Sequence, residues 1–335
     1  MKVCTHDVQA NWEQPLLCVT HSDRPIDRER CSLNFLTQRY AAGDRLPPKE
    51  PFESLVHARH HSPYLGEVTV WDVSHNVGGE LRPRLISRFR PETDKPQHAI
   101  WYDGRLWVLG LFSLEAYDKN LAHVGTVADP WLSGAHTIFP TEDGRLLVSC
   151  SASDSVLVVD PRRYEVVQAL RLPESLYGVN YPLSRGDSVV EHFVPNDYQL
   201  THLNCAYPWK GGILVSTLIQ GAVGWFDPHG NYQELLRGFV GCHGVRVDPR
   251  DGRIYFCDSC LGVVVFLTAD LGVHERLQVG LDWLHDATHI DGSLYAAAVS
   301  DRNAIAFVDI DRREIVGELP CEQFGQSTQF LYYGR

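Results

Sequence analysis

The chain has 335 residues, 44% of them hydrophobic, with 30 Lys and Arg against 42 Asp and Glu and a formal net charge of −12. That acidic surplus argues against a nucleic-acid backbone or an anionic membrane surface as the main partner, and no apolar run is long enough to span a bilayer. Residues 1–15, MKVCTHDVQANWEQP, lack an apolar signal core, so a cytoplasmic protein is expected.

In chain order, three strand-like stretches come first: PLLCVTHS (15–22), EVTVWDV (67–73) and RPRLISRF (82–89). From His98 a unit of about forty residues repeats. It opens with HAIWYDGRLWVLG at His98, HTIFPTEDGRLLVSC at His136, HLNCAYPWKGGILVSTL at His202, HGVRVDPRDGRIYFCDS at His243 and HDATHIDGSLYAAAVS at His285. Each stretch reads as a strand, a Gly-containing turn and a second apolar strand. A third strand follows (SLEAYD, SVLVVDP, AVGWFDP, VVVFLTA, AIAFVDI), then a more polar fourth (HVGTVAD, VVQALRLP, YQELLRG, VHERLQV, EIVGELP). Four strands per forty-residue unit predict a β-propeller. The three N-terminal strands supply the second to fourth strands of a sixth blade, and GQSTQFLYYGR (325–335) supplies its first. The fold class is therefore all-β: a six-bladed propeller, 1–335, closed by both chain ends in one blade, with seven blades as the alternative if residues 23–66 hide strands.

The first strand of a blade lines the axis, so the recurring histidines gather at one end, the top. Two insertions, 23–66 and 174–200, fall on connections at that same end and are expected to act as lids. They contribute His60, His61, Tyr177 and Tyr181 as candidate catalytic residues, beside His57, Glu191, His192 and Asp197. His289, four residues after His285, shares its face of the strand and is a further catalytic candidate deeper in the channel. His123, His229 and His274 fall on outer strands or turns and are read as surface residues.

His98, His136, His202, His243 and His285 are the candidate metal ligands, with Gln326 at the sixth position. Imidazole suits Fe(II), Cu or Zn, and the lack of carboxylates argues against calcium and magnesium. The nine cysteines include one CxxC, Cys257 and Cys260, without the second pair a structural zinc site would want; they are read as buried thiols in a reducing compartment.

The strand pairs, HAIWYDGRLWVLG and HGVRVDPRDGRIYF among them, resemble NHL/YVTN-type propeller repeats over nearly the whole chain. The axial histidines resemble in placement those of the carotenoid cleavage oxygenases, whose four-histidine ring binds Fe(II) and activates O2. The CHG at 242–244 looks like the strand starts of virginiamycin B lyase, a propeller that performs metal-assisted elimination. These resemblances imply a metal-dependent enzyme acting on a small molecule. A non-haem Fe(II) oxygenase or oxidase using O2 is the first expectation, with copper or another divalent transition metal next. A metal-assisted lyase or hydrolase, and a non-enzymatic scaffold binding a protein partner, are the alternatives.

Overall fold

The structure is a computed structural model, describing residues 14–22, 66–73, 76–77, 80–81, 83–91, 93, 95–173, 201–280, 283–325 and 327–334. Among these residues, six four-stranded antiparallel sheets form the blades of a β-propeller. Gly-containing turns interrupt the apolar runs every five to eight residues, and β-branched or aromatic residues fill the inner strands, which are buried on both faces between neighbouring blades.

The first strands in the chain are β1 (Leu16–Ser22), β2 (Gly66–Asp72), the short hairpin β3 (Asn76–Val77) and β4 (Glu80–Leu81), and β5 (Arg84–Phe89). Blade 1 holds β6 (His98–Tyr102), β7 (Arg105–Leu109), β8 (Leu114–Tyr117) and β9 (His123–Val127). Blade 2 holds β10 (Ala135–Pro140), β11 (Leu146–Cys150), β12 (Ser155–Asp160) and β13 (Glu165–Arg171). Blade 3 holds β14 (Leu203–Trp209), β15 (Gly212–Thr217), β16 (Ala222–Phe226) and β17 (Tyr232–Arg237). Blade 4 holds β18 (Cys242–Val247), β19 (Ile254–Asp258), β20 (Val263–Leu267) and β21 (Val273–Gln278). Blade 5 holds β22 (Leu284–Asp291), β23 (Leu294–Val299), β24 (Ala304–Asp309) and β25 (Glu314–Pro320). The last strand, β26 (Ser327–Gly334), pairs with β1, and the closing sheet runs β26-β1-β2-β5, as the sequence predicts. Gly66, assigned by sequence to the insertion, already belongs to β2, and the β3–β4 hairpin has no counterpart in the sequence reading. The remainder of the two insertions lies outside the described residues. No helix among the described residues is long and apolar enough to cross a membrane.

The ladder register puts the six first strands on a common scale. Ala99, Ile138, Ala206, Ala287 and Leu331 pair with Val108, Val148, Val215, Ala297 and Val19, and the pairing of Arg246 with Tyr255 places Val245 in the same row. One residue earlier in each blade stand His98, Thr137, Cys205, Gly244, Asp286 and Phe330. Four of these side chains serve the axis-facing edge of the first strands, whose peptide groups lack a ladder partner there. His98 Nδ1 accepts the Ile138 N–H (3.0 Å), Thr137 Oγ1 accepts the Ala206 N–H (3.3 Å), Cys205 Sγ donates to the Val245 carbonyl (3.4 Å), and Asp286 Oδ2 accepts the Leu331 N–H (3.0 Å). Each bond ties a blade to the one that follows it.

Three blades converge on Leu331 in the closing strand. His98 Nε2–H of blade 1 donates to its carbonyl (3.1 Å), as does Arg246 Nη2 of blade 4 (2.7 Å), while Asp286 of blade 5 takes its N–H. Arg246 and Asp286 are themselves paired at 2.5 Å, only 3% and 0% exposed. This latch fastens the C-terminal strand inside the ring. Gly244 makes room for it: a Cβ there would stand 2.4 Å from Asp286 Oδ1, and the backbone at φ +60° favours glycine.

Candidate functional site

One residue before the row of His98 and Asp286, the register aligns Gln97, His136, Asn204, His243, His285 and Gln329. Two further residues toward the mouth it aligns Lys95, Gly134, His202, Gly241, Trp283 and Ser327. Four of this mouth row share left-handed backbone, with φ of 35° at Lys95, 60° at Gly134, 52° at His202 and 80° at Gly241. The five histidines therefore occupy three rows. His136, His243 and His285 are equivalent; His202 stands above them and His98 below. The sixth member of the middle row is Gln329; Gln326 lies outside the described residues.

Local geometry separates the rows. Five of the six blades carry a register shift at the start of the first strand, between Ala135 and Ile138, Leu203 and Cys205, His243 and Arg246, Leu284 and Asp286, and opposite Val19 and His21. Such a bulge re-aims the side chains beside it. Blade 1 keeps a regular ladder, with His98 opposite Leu109, so His98 joins the inter-blade bonds. Both of its ring nitrogens are bonded to backbone and its side chain is fully buried, which leaves no nitrogen for a metal and corrects its place in the predicted ligand set.

The other four come together as two pairs. His136 and His202 stand edge-on, centroids 4.7 Å apart, with their Nε2 atoms at 3.1 Å. His243 and His285 stand edge-on at 5.0 Å. Phe330 packs beneath, 4.6 Å from His285 and 6.1 Å from His136, and Trp283 flanks His243 at 5.3 Å and His285 at 6.1 Å.

Partners fix the tautomers, since a carbonyl only accepts and a backbone N–H only donates. His136 Nδ1–H donates to the Gly134 carbonyl (2.8 Å), and His243 Nδ1–H to the Gly241 carbonyl (2.9 Å), with Ser259 Oγ also 2.8 Å from that nitrogen. The Ser300 hydroxyl donates to the Thr328 carbonyl, so it accepts from His285 Nδ1–H at 3.4 Å. His136, His243 and His285 thus carry their lone pair on Nε2, and His136 Nε2 accepts a hydrogen bond from His202 Nε2–H. Asp154 clamps His202 by accepting the N–H groups of Thr201 (3.2 Å) and Leu203 (3.1 Å) on either side.

Burial keeps these rings neutral, pushing His136 down to about 4, His243 to about 3 and His285 well below the usual imidazole range. Lys95 adds to the lowering at His136 and His285. Among the described residues no group of three or more His, Cys, Asp or Glu side chains is gathered closely enough to hold a metal ion.

His289 is not part of the cluster. Four residues along β22 is about 13 Å at the rise of a strand, and His289 Nε2 bonds the Gly292 carbonyl (3.0 Å) in the turn at the opposite end. This corrects its reading as a deeper catalytic group. His60, His61, Tyr177 and Tyr181 lie outside the described residues. His123, His229 and His274 are exposed. Cys257 and Cys260 are buried and outside any disulfide.

Sequence reasoning missed Trp283, Phe330 and the serines that hold Nδ1. The serines carried a signal: Ser151, Ser259 and Ser300 directly follow the second strand in the three blades whose histidines share a row. Their backbone N–H groups all bond the mouth-row carbonyl of their own blade, at Gly134, Gly241 and Trp283.

No family model matches the chain, and neither does any curated protein sequence. Solved structures share the fold. A virginiamycin B lyase from Staphylococcus aureus aligns with a TM-score of 0.52 at 13% identity, over 77% of this chain and 81% of that one. A catalytically inactive histidine-to-alanine variant of that lyase, with quinupristin, aligns at 0.52 and 11% identity over 80% and 87%. The nidogen/laminin complex aligns at 0.56 and 9% identity over 81% and 96%. At these identities the likeness is one of architecture, which hosts both an enzyme and a protein-binding propeller.

Proposed function

We propose that the top of the axial channel is the active site of an enzyme acting on a small molecule by proton transfer, of the lyase or hydrolase kind. The observation that carries this reading is the orientation of His243 and His285: Nδ1–H is held by main chain or serine, and Nε2 keeps its lone pair. Either Nε2 takes a proton from the substrate, while the anchored Nδ1–H fixes the ring. The anion left on the substrate offsets the imidazolium charge, and Lys95 adds a cation in reach of the cluster. A structurally similar propeller lyase is inactive when a histidine is replaced by alanine, which supports the reading by analogy.

A second reading keeps the metal, with Fe(II) first, copper second and O2 as co-substrate. One observation favours it: Nε2 atoms 3.1 Å apart in His136 and His202 match two ligands about 2.1 Å from one ion, which stand about 3.0–3.4 Å from each other. The described residues fit only this pair and lack the third ligand, so no step is routed through a metal.

Incubating the purified protein with a small-molecule extract and following it by mass spectrometry tests the first reading. Wild type is expected to consume a compound that the His243→Ala/His285→Ala double variant leaves untouched. Equal consumption by both, or none by either, contradicts it. Metal analysis after anaerobic preparation tests the second: stoichiometric metal lost in His136→Ala supports it, and its absence after reconstitution removes it.

A further inference from the structure

We propose that His243, Trp283 and His285 form a recognition wall for a neutral small molecule carrying at least two hydroxyl or amide donors and one hydrogen-bond acceptor. This rests on the reading of the axial cluster as the substrate site and names the substrate class.

The wall is built of three polar atoms without partners among the described residues. His243 Nε2 and His285 Nε2 are acceptors, because both Nδ1 atoms hold the proton against Gly241, Ser259 and Ser300. The third atom is the indole N–H of Trp283. That residue is 5% exposed, packs on Cys260, Leu218 and Val240, and has no acceptor for its N–H. A buried indole N–H ordinarily finds one. One residue before the mouth row, the hydroxyls of Ser133 and Thr201 are likewise buried without partners. Buried polar groups without partners, gathered at one end of the axis, are what a bound molecule would satisfy.

The chemistry of the wall selects the occupant. Two acceptors and a donor complement two donors and an acceptor. A carboxylate or phosphate would turn its own lone pairs toward these two acceptor nitrogens, which disfavours it against a ligand that donates. The rings of His243, Trp283 and His285 stand edge-on to one another, so the probes carry their donors on an unsaturated ring that packs against aromatic neighbours.

Three probes of similar size decide the matter: catechol, with two O–H donors; 1,2-dimethoxybenzene, with none; and benzoate, an anion. They are titrated calorimetrically into full-length protein treated with chelator, so that binding through a metal does not contribute. Catechol is expected to bind at least tenfold more tightly than the other two. His243→Phe and His285→Phe are expected to lose at least tenfold, Trp283→Phe about threefold to tenfold, and His289→Ala, in the distant turn, nothing. Equal or tighter binding of dimethoxybenzene or benzoate, or no catechol binding, overturns the proposal. Where a variant fails to fold, the ranking on wild type still decides. Loss of turnover evidence with the catechol ranking intact would sink the enzymatic reading alone.

Discussion

His98 and His243 start equivalent stretches of sequence, both are buried, and burial pushes both down to about 3. They do different work. His98 spends one nitrogen on Ile138 and the other on Leu331. His243 spends one on Gly241 and keeps the other. Neither residue type, burial nor lowered basicity tells a histidine spent wholly on closing the ring from one with a nitrogen to spare; the partner of the second nitrogen does. The lower group, His98 with Arg246, Asp286 and Leu331, closes the ring. In the upper group, His136 and His202 bond each other, while His243 and His285 each keep Nε2 open. The comparison breaks if changes in the lower group disturb binding without disturbing stability, or the reverse in the upper group.

The largest effect is expected in the latch. Arg246→Met leaves the Asp286 carboxylate buried and alone, at a cost of about 3–5 kcal/mol. Arg246→Met combined with Asp286→Leu should be less harmful than the single change, because no uncompensated charge remains. Denaturant unfolding measures both, and a double variant worse than the single would remove the ion pair from the account.

Acid should act strongly as well. The folded-state values of His21 and His98 (about 3 each), His136 (about 4) and His243 (about 3) lie below the ordinary 6.5, and His285 well below it. The unfolded chain therefore binds more protons, and stability is full above pH ~6.5 and lost as pH falls toward 3–4, by up to about 1.4 kcal/mol per pH unit for each ring. Asp286, raised to about 6 by burial against the pull of Arg246, works oppositely between its ordinary value and 6, but it is one group against five. Unfolding free energies at pH 7, 6 and 5 should decline; a flat profile would mean these rings are not held neutral.

His98→Phe is expected to cost about 1–3 kcal/mol by orphaning the Ile138 N–H, with catechol affinity unchanged. His243→Phe should reverse the pattern, with stability within about 1 kcal/mol of wild type and affinity lost. The smallest effect belongs to Ser300→Ala, which removes only a 3.4 Å bond to His285; a few tenths of a kcal/mol and a modest loss of affinity are expected by the same two measurements.

The blades and their closure were legible because period-two strands, Gly turns and apolar third strands recur over most of the chain, and PLLCVTHS and GQSTQFLYYGR have no other blade to complete. The site was legible only in part. A histidine spacing of 38, from His98 to His136, looks like a match to the repeat, yet the paired rows Ala99 and Ile138 stand 39 apart. A difference of one residue moves a side chain to the other face of a strand, and the bulge that accommodates it in blade 2 is absent from blade 1. Register shifts of that kind are set by pairing with the next strand and leave no mark in the residues themselves. Arg246, three residues after His243, could be read as a surface charge on the same grounds, although its partner Asp286 lies one blade away.

The central claim is that the axial histidines divide by which nitrogen carries the proton. Nitrogen-15 NMR of the imidazole rings at pH 7, assigned through single His→Phe variants, tests it directly. The account expects His98 as the Nε2–H tautomer and His136, His243 and His285 as Nδ1–H tautomers, with His243 and His285 shifting when catechol is added and His98 unmoved. The same tautomer in all four, or a ligand-dependent shift at His98, would contradict it.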